Sequence, residues 1–256
     1  AGGCWTRAFS PCGHWMEVAA AAVQAGLRAW FARWGLPDEV RLDNGHPWGS
    51  FSDVPPDLAL WLLGLGVGPV WNPPGHKQGN AVVERAHGVC QRWVEPGTCR
   101  DAAELQARLD HATTLQRERY PHRGAPSRLD AWPALAAGGR PYDPAAEAAL
   151  WDERRVWAFL AERVVLRRVD KVGRISLANR ALGVGRAWAG QTVTVRLALD
   201  GDAPVWRIRD AQGALLRQHP APELARDRIL ALDVSRRRPQ RRRRAKPHAR
   251  HGGQPY

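Results

Sequence analysis

The chain has 256 residues, enough to bury a hydrophobic core and to form one or two domains. Its hydrophobic content of 44% is that of a globular protein, and its longest uncharged apolar run, residues 58–71, is too short to cross a bilayer, so no membrane partner is predicted. The four cysteines show neither CxxC nor paired His spacing, which argues against zinc and favours reduced thiols in the cytoplasm. The net charge of +13 indicates a nucleic-acid partner. Residues 236–256 contribute +9 of this charge, because they contain nine Lys and Arg residues and no acid.

The first elements in chain order alternate between helix and strand. Apolar residues at steps of three and four predict a helix over residues 18–34, ended by Gly35, followed by a strand over 39–43. A second helix is predicted over 58–65, a strand over 67–71, a Pro/Gly-rich loop over 72–79 and a third helix over 78–94.

In the second half of the chain the predicted elements change from helices to short strands. The sequence DAAE at 101–104 predicts a capping box that opens a helix to about residue 119, and residues 144–163 predict one further helix, a linker arm. Short β-rich runs at 164–169, 174–177, 192–197, 205–209 and 215–218 alternate with turns, which predicts a small β-barrel or sandwich. The Pro/Arg-rich composition of the last segment predicts disorder.

Two carboxylates have the placement that metal-dependent phosphoryl transfer requires. Asp43 ends a predicted strand in an Asp-Asn-Gly turn, and Glu84 lies on the third predicted helix, with forty residues between the two. Magnesium takes one or two protein carboxylates together with substrate phosphates, and paired ions stabilise the attacking and leaving oxygens. The competing interpretation is that Asp43 is a turn residue and Glu84 a solvated helix charge.

Three segments resemble one family: RLDNGHPWGS (41–50), WNPPGHKQGNAVVERAHG (71–88) and, more weakly, ERYPHRGAPSRLDAWPAL (118–135). They are similar to bacterial insertion-sequence DDE/D transposases with a retroviral-type integrase core. The resemblance implies an α/β, RNase H-like core over residues 1–143, a helical linker over 144–163, a small all-β barrel that binds DNA over 164–220 and a disordered basic tail over 221–256. It also implies Asp43 and Glu84 as the second and third catalytic acids and as ligands of Mg²⁺ or Mn²⁺.

The family's first catalytic Asp has no counterpart here. Upstream of Asp43 the acids are Glu17, Asp38 and Glu39, none at the expected distance on a first strand. The expectation is therefore a core that is incomplete at its N-terminus and that binds metal poorly, so the chain as it stands is predicted to be inactive. When complete, the protein is expected to form a homo-oligomer in the bacterial cytoplasm, associated with the nucleoid.

Further residues are candidates for DNA contact. Lys77 lies in the Pro/Gly-rich loop, and His87 and Gln91 share a helix face with Glu84 because steps of three and four residues bring side chains together. Trp48 and Trp71 are candidates for base stacking, although most of the thirteen tryptophans are expected in the core. The arginines of the tail are candidates for non-specific phosphate contacts: Arg236, Arg237, Arg238, Arg241, Arg242, Arg243 and Arg244.

Three functions stay open at this stage. The leading one is a DNA transposase that cleaves and joins DNA at transposon ends. The second is a catalytically dead DNA-binding remnant, and the third is a stand-alone RNase H-like nuclease, against which the predicted barrel argues.

Overall fold

The computed structural model describes residues 20–42, 48–49, 54–73, 81–136 and 138–232. Over these ranges the chain is mixed α/β, with a two-stranded parallel sheet among helices, followed by antiparallel strands. The helices are α1 (Ala20–Trp34), α2 (Asp57–Gly64), α3 (Ala81–Val94), α4 (Ala102–Glu118), α5 (Arg128–Ala131), α6 (Glu147–Leu150), α7 (Glu153–Ala161) and α8 (Arg226–Leu230). The strands are β1 (Glu39–Leu42), β2 (Gly68–Trp71), β3 (Val165–Arg168), β4 (Arg174–Leu177), β5 (Arg180–Gly183), β6 (Thr192–Asp200), β7 (Ala203–Arg209) and β8 (Leu215–Pro220).

The first structural unit is a strand–helix–strand crossover. Strands β1 and β2 pair in parallel, from Glu39 opposite Gly68 to Leu42 opposite Trp71. Helix α2 connects them and is buried on every side from Leu58 to its end, as expected of a helix that is apolar all round. These elements confirm the predicted helix and strands around α2.

Trp151 fastens the chain after α6 to this unit. Its indole lies so close to Gly64 that a Cβ there would stand 2.1 Å from the ring. The indole Nε1 donates to the Trp61 carbonyl at 3.1 Å, and the Asp152 amide donates to the Gly64 carbonyl at 3.0 Å. The prediction of one continuous helix over 144–163 is therefore wrong, because Trp151 leaves helical geometry to enter the core and Asp152 caps a new helix, α7.

Helices α3 and α4 contact each other and are joined by a short segment that contains a 3₁₀ turn, Pro96–Thr98. Asp101 caps α4 by accepting from the Glu104 amide at 2.8 Å, which confirms half of the predicted capping box. The other half differs, because the Glu104 carboxylate accepts from the Arg100 amide instead of the Asp101 amide. Helix α3 is described from Ala81, so the predicted start near residue 78 lies outside the described residues.

The later strands form a four-stranded antiparallel sheet, ordered β3-β6-β7-β8, and a separate hairpin, β4-β5. All five predicted β-rich runs contain a strand, and β5 is an additional one. The ladder does not continue from β8 to β5 among the described residues; instead His219 contacts the Gly183 carbonyl and Arg180 donates to the Pro220 carbonyl. The two sheets share buried side chains between them, so they enclose a core without closing into a barrel: Ile175, Leu177, Leu182, Val193, Val195, Leu197, Trp206 and Ile208.

The chain after β8 is folded up to the last described residue. A 3₁₀ turn, Pro222–Leu224, leads into α8, and Leu224, Ile229 and Leu232 are buried. The prediction of disorder from residue 221 is therefore wrong for residues 221–232. Residues 233–256, including all of the basic run, lie outside the described residues.

Candidate metal-ligand positions and nucleic-acid interface

Strands β1 and β2 end at the same edge of their sheet, because parallel strands run in one direction. Leu42 is the last residue of β1 and pairs with Trp71, and the next amide, that of buried Asn72, donates to the Leu42 carbonyl at 3.1 Å. Asp43 follows Leu42 directly, but it lies outside the described residues, as do Asn44 and Gly45. The strand that should deliver Asp43 to this edge is thus present up to the residue before it.

Glu84 lies in the first turn of α3 and is exposed. Within the described part of the chain, no arginine or lysine forms an ion pair with its carboxylate. These residues also contain no group of three or more His, Cys, Asp or Glu side chains that could hold a metal. Asp43 lies outside the described residues, so its approach to Glu84 stays a prediction.

The proposed DNA contacts on α3 share its face with Glu84. Gln91 is exposed, whereas His87 is half-buried and its Nε2 has no hydrogen-bond partner among the residues described. Lys77 and the seven arginines from Arg236 to Arg244 lie outside the described residues. Helix α3 therefore confirms that Glu84, His87 and Gln91 lie on one stripe, and their contact with DNA stays a prediction.

Trp48 and Trp71 are engaged with each other and with the core. The Trp71 indole donates to the Trp48 carbonyl at 3.0 Å, and both side chains are half-buried against core residues. Of the described tryptophans, Trp61, Trp151 and Trp206 are fully buried. The candidates for base stacking that the sequence suggested are therefore partly covered.

The outer face of the four-stranded sheet carries an arginine cluster that the sequence analysis missed. Arg196 on β6 stands directly opposite Arg207 on β7, and Arg209 stands opposite Thr194. Arg168 on β3 points to the same face, because it is two residues from Leu166, the partner of Thr194. We call these four residues the arginine face: Arg168, Arg196, Arg207 and Arg209.

The arginine face has positive charge without carboxylate partners. None of its members forms an ion pair with a described acid, although Arg207 donates to the Gln218 side chain at 3.1 Å and to the Leu199 carbonyl at 3.0 Å. Like charges directly opposite each other destabilise an antiparallel pair of strands. An anion bound between Arg196 and Arg207 would reduce the repulsion between their guanidinium groups. The signal available in the sequence was the alternation Arg-Ile-Arg at 207–209, which places both arginines on one face of a strand.

The carboxylates with perturbed pKa values lie away from these positions and are structural. Burial raises the pKa of Glu147, but hydrogen bonds from Arg28 and Tyr142 outweigh it and hold the pKa below its usual value. Arg28 binds this carboxylate with two hydrogen bonds, at 2.9 and 2.5 Å. The Arg100 side chain and amide, with Arg108, lower the pKa of Glu104 to about 2 on the surface of α4.

The sequence matches no protein-family model. The integrase-type resemblance therefore rests on residues 41–50, 71–88 and 118–135 alone. In the described ranges, no helix is both long and apolar enough to cross a membrane.

Proposed function

We propose that the chain is the catalytic part of a DNA transposase or integrase, which cleaves and joins DNA at transposon ends with Asp43 and Glu84 as metal ligands. The observation that carries the proposal is the parallel pairing of β1 and β2 through the buried helix α2. In such a crossover, functional side chains collect beyond the carboxyl ends of the strands. Asp43 follows one of these ends directly, and the chain from the other leads to Glu84. An RNase H-like core is part of this proposal.

The donor atoms available suit a hard divalent cation. Glu84 offers an exposed carboxylate that no described cation neutralises, and carboxylate oxygens are the ligands that Mg²⁺ and Mn²⁺ prefer. Asp43 and Glu84 would hold the ion, which when bound would polarise the phosphate and lower the pKa of the attacking hydroxyl. His87 and Gln91, on the same stripe of α3, would contact the DNA backbone beside Glu84.

The metal site can be tested without requiring catalysis. Iron(II) with ascorbate generates hydroxyl radicals, which cut the polypeptide next to a bound ion. We expect cuts near residues 43 and 84 that excess Mg²⁺ suppresses and that Asp43→Asn and Glu84→Gln each abolish. Glu118→Gln, which removes another exposed helix carboxylate, is the matched control and should leave the cuts intact. Cleavage that persists in both site variants would refute the assignment.

A second candidate function is DNA binding without catalysis, and the arginine face favours it. Four arginines without carboxylate partners on one sheet face can neutralise phosphates whatever the state of the metal site. The two functions separate in one experiment on the full chain. Because the chain alone is predicted to be inactive, the metal site and not strand joining is the discriminating readout. Duplex binding in the presence of a chelator, without iron-dependent cuts near residues 43 and 84, supports the binding function, whereas cuts that Asp43→Asn and Glu84→Gln abolish support the transposase. Self-association, which the resemblance implies, stays a prediction.

A further inference from the structure

Exposed aromatic side chains are concentrated on one surface, at the ends of α3 and α4. Among the described residues, the aromatic side chains classed as exposed are Trp93 (39%), Tyr120 (49%) and Trp132 (39%). The other described tryptophans are buried or half-buried. Exposing three large rings near one another leaves apolar surface in water, which in soluble proteins commonly marks a binding surface.

These rings are arranged as two pairs along one stretch of chain. Trp93 contacts Tyr120 with ring centroids 5.4 Å apart, and His122 contacts Trp132 at 4.6 Å. Only Pro121 separates Tyr120 from His122, so the two pairs are neighbours. We call Trp93, Tyr120, His122 and Trp132 the aromatic surface.

A tight turn holds a cation over this surface. His122 and Ala125 exchange two backbone hydrogen bonds of 3.0 Å, with Arg123 and Gly124 at φ values of 51° and 81° between them. This is the geometry of a two-residue hairpin turn, and it fixes Arg123 at the tip. The Arg123 guanidinium lies 5.3 Å from the Trp132 ring centre, within the range of a cation–π contact.

The charge around the aromatic surface is positive. Residues 117–132 contain four arginines and two acids. Both acids, Glu118 and Asp130, are exposed, and Asp130 also accepts a hydrogen bond from the hydroxyl of buried Ser127 at 2.6 Å, so the formal charge of the stretch is +2. Arg119 and Arg123 are exposed. A purely apolar protein partner would gain nothing from these cations, whereas a nucleic acid would use both the rings and the charges.

An open cavity of about 560 Å³ continues the surface beside Trp93. Its volume is within the range of about 300–1,000 Å³ that small-molecule sites occupy. Its lining is mainly apolar and includes Trp93; its polar groups are His111, Arg108 and Glu104, of which the last two form an ion pair at 2.7 Å. The residues that line it are Trp93, Glu104, Ala107, Arg108, His111, Ala112 and Leu115.

We propose that the aromatic surface and this cavity bind unpaired nucleotides of DNA, with bases stacked on Trp93, Tyr120 and Trp132 and phosphates on Arg119 and Arg123. Stacking on aromatic rings beside a basic groove is how proteins hold single strands without reading their sequence. The inference rests on the proposed DNA function and adds that one bound strand is unpaired there. Trp93 is the ninth residue after Glu84 in α3, about 13.5 Å along the helix at 1.5 Å per residue, so the strand would lie near the proposed metal-ligand position.

The test uses the full chain and a fluorescent oligothymidylate, with a duplex as the second probe. We expect Tyr120→Ala and Trp132→Ala each to weaken oligothymidylate binding by roughly 5- to 150-fold, the effect of one stacked base, and to leave the salt dependence unchanged. Trp132→Phe should retain most of the binding because it keeps a ring. Val172→Ala, which removes an exposed apolar side chain from the turn before β4, is the control. Arg123→Gln should instead lower the salt slope by about 0.7, the value for one phosphate of a single strand.

The outcomes separate this inference from the proposed function. Oligothymidylate binding that is equal in wild type, Tyr120→Ala and Trp132→Ala, with Arg123→Gln also unchanged, would overturn the inference. Duplex binding without oligothymidylate binding would also overturn it, and the proposed function would stand. If the wild-type chain gave no iron-dependent cuts, the proposed metal site would fail. The inference on unpaired nucleotides would be unaffected, because the oligothymidylate test does not involve Asp43 or Glu84.

Discussion

The arginine face gives the sharpest quantitative prediction. We consider the double variant Arg196→Gln, Arg207→Gln, which removes the two directly opposed charges while keeping side chains of similar length. Each phosphate that a protein neutralises on B-DNA contributes about −0.9 to the slope of log K against log salt. If each arginine contacts one phosphate, the slope of the double variant should be shallower by about 1.8.

The single variant Arg196→Gln should not cost stability, whereas Arg207→Gln also removes hydrogen bonds to the Gln218 side chain and the Leu199 carbonyl. Arg196 has no partner within the described chain, and like charges directly opposite each other in a sheet are unfavourable by roughly 0.2–1 kcal/mol. The single variant Arg196→Gln should therefore unfold in urea at the same or a slightly higher free energy than wild type. A loss of DNA affinity then cannot be attributed to unfolding.

The assay is fluorescence anisotropy with a duplex at a series of potassium chloride concentrations, in a chelator. The matched control is Arg174→Gln, Arg186→Gln, which removes two exposed arginines from the hairpin side of the same region and gives the same net charge. We expect the control variant to have the same slope of log K against log salt as wild type, to within about 0.3. Equal slopes in both double variants would show that only total charge matters, and the arginine face would lose its role.

Three further predictions concern the core and the tail. Gly64→Ala should lower the free energy of unfolding in urea by about 1–3 kcal/mol or more, because the new Cβ would overlap the Trp151 ring. Glu147→Gln should flatten the acid limb of the profile of stability against pH. Burial raises the pKa of Glu147, but the hydrogen bonds from Arg28 and Tyr142, together with the Arg28 charge, outweigh burial and lower it. The stability that Glu147 contributes is therefore present above about pH 4.3 and is lost as the pH falls through the lowered pKa. Thermal unfolding across pH would measure this, and a wild-type acid limb in the variant would contradict it. Deleting residues 236–256 should flatten the salt dependence of DNA binding without changing the preferred sequence, and an unchanged slope would exclude the tail as a phosphate clamp.

The sequence predicted the elements whose signal is local. Helix α2 and strand β2 follow from a continuous apolar run interrupted by glycines, and Asp101 marks the start of α4 by a side chain that caps its own helix. For the candidate metal ligands, the sequence correctly placed Glu84 on a helix and a strand immediately before Asp43. These features need only neighbouring residues.

Strand β5 was missed because its turn lacks the usual residues. Ala178 and Asn179 connect β4 to β5 with φ values of 48° and 60°, the geometry of a two-residue hairpin turn, yet neither is glycine. The usual signal for this turn is Asn-Gly or Asp-Gly. Within β5 only Leu182 is buried, so the strand has no alternation of apolar and polar residues from which it could have been predicted.

The fold of residues 221–232 depends on partners distant in sequence. Arg228 forms an ion pair with Asp57 at 2.9 Å and Arg226 one with Glu153 at 3.5 Å, so arginines that resembled a disordered tail in composition are used in tertiary contacts. Ile229 is buried against the core. Composition alone predicts disorder here because it contains no information about which surface will receive the apolar side chains.

The hydrophobic core connects the two parts of the chain that the proposed function uses. Helix α2 contacts α7 and α8, and α7 contacts β6, so buried side chains run without a break from the β1–β2 crossover to the sheet with the arginine face. A mobile linker would let that sheet move independently, whereas packed side chains hold neighbouring elements at fixed distances. If DNA binds the arginine face, its position relative to the end of β1 is therefore set by packing. This arrangement suits an enzyme that must present one particular phosphate to Asp43 and Glu84, because a misplacement of about 1 Å can cost two orders of magnitude in rate.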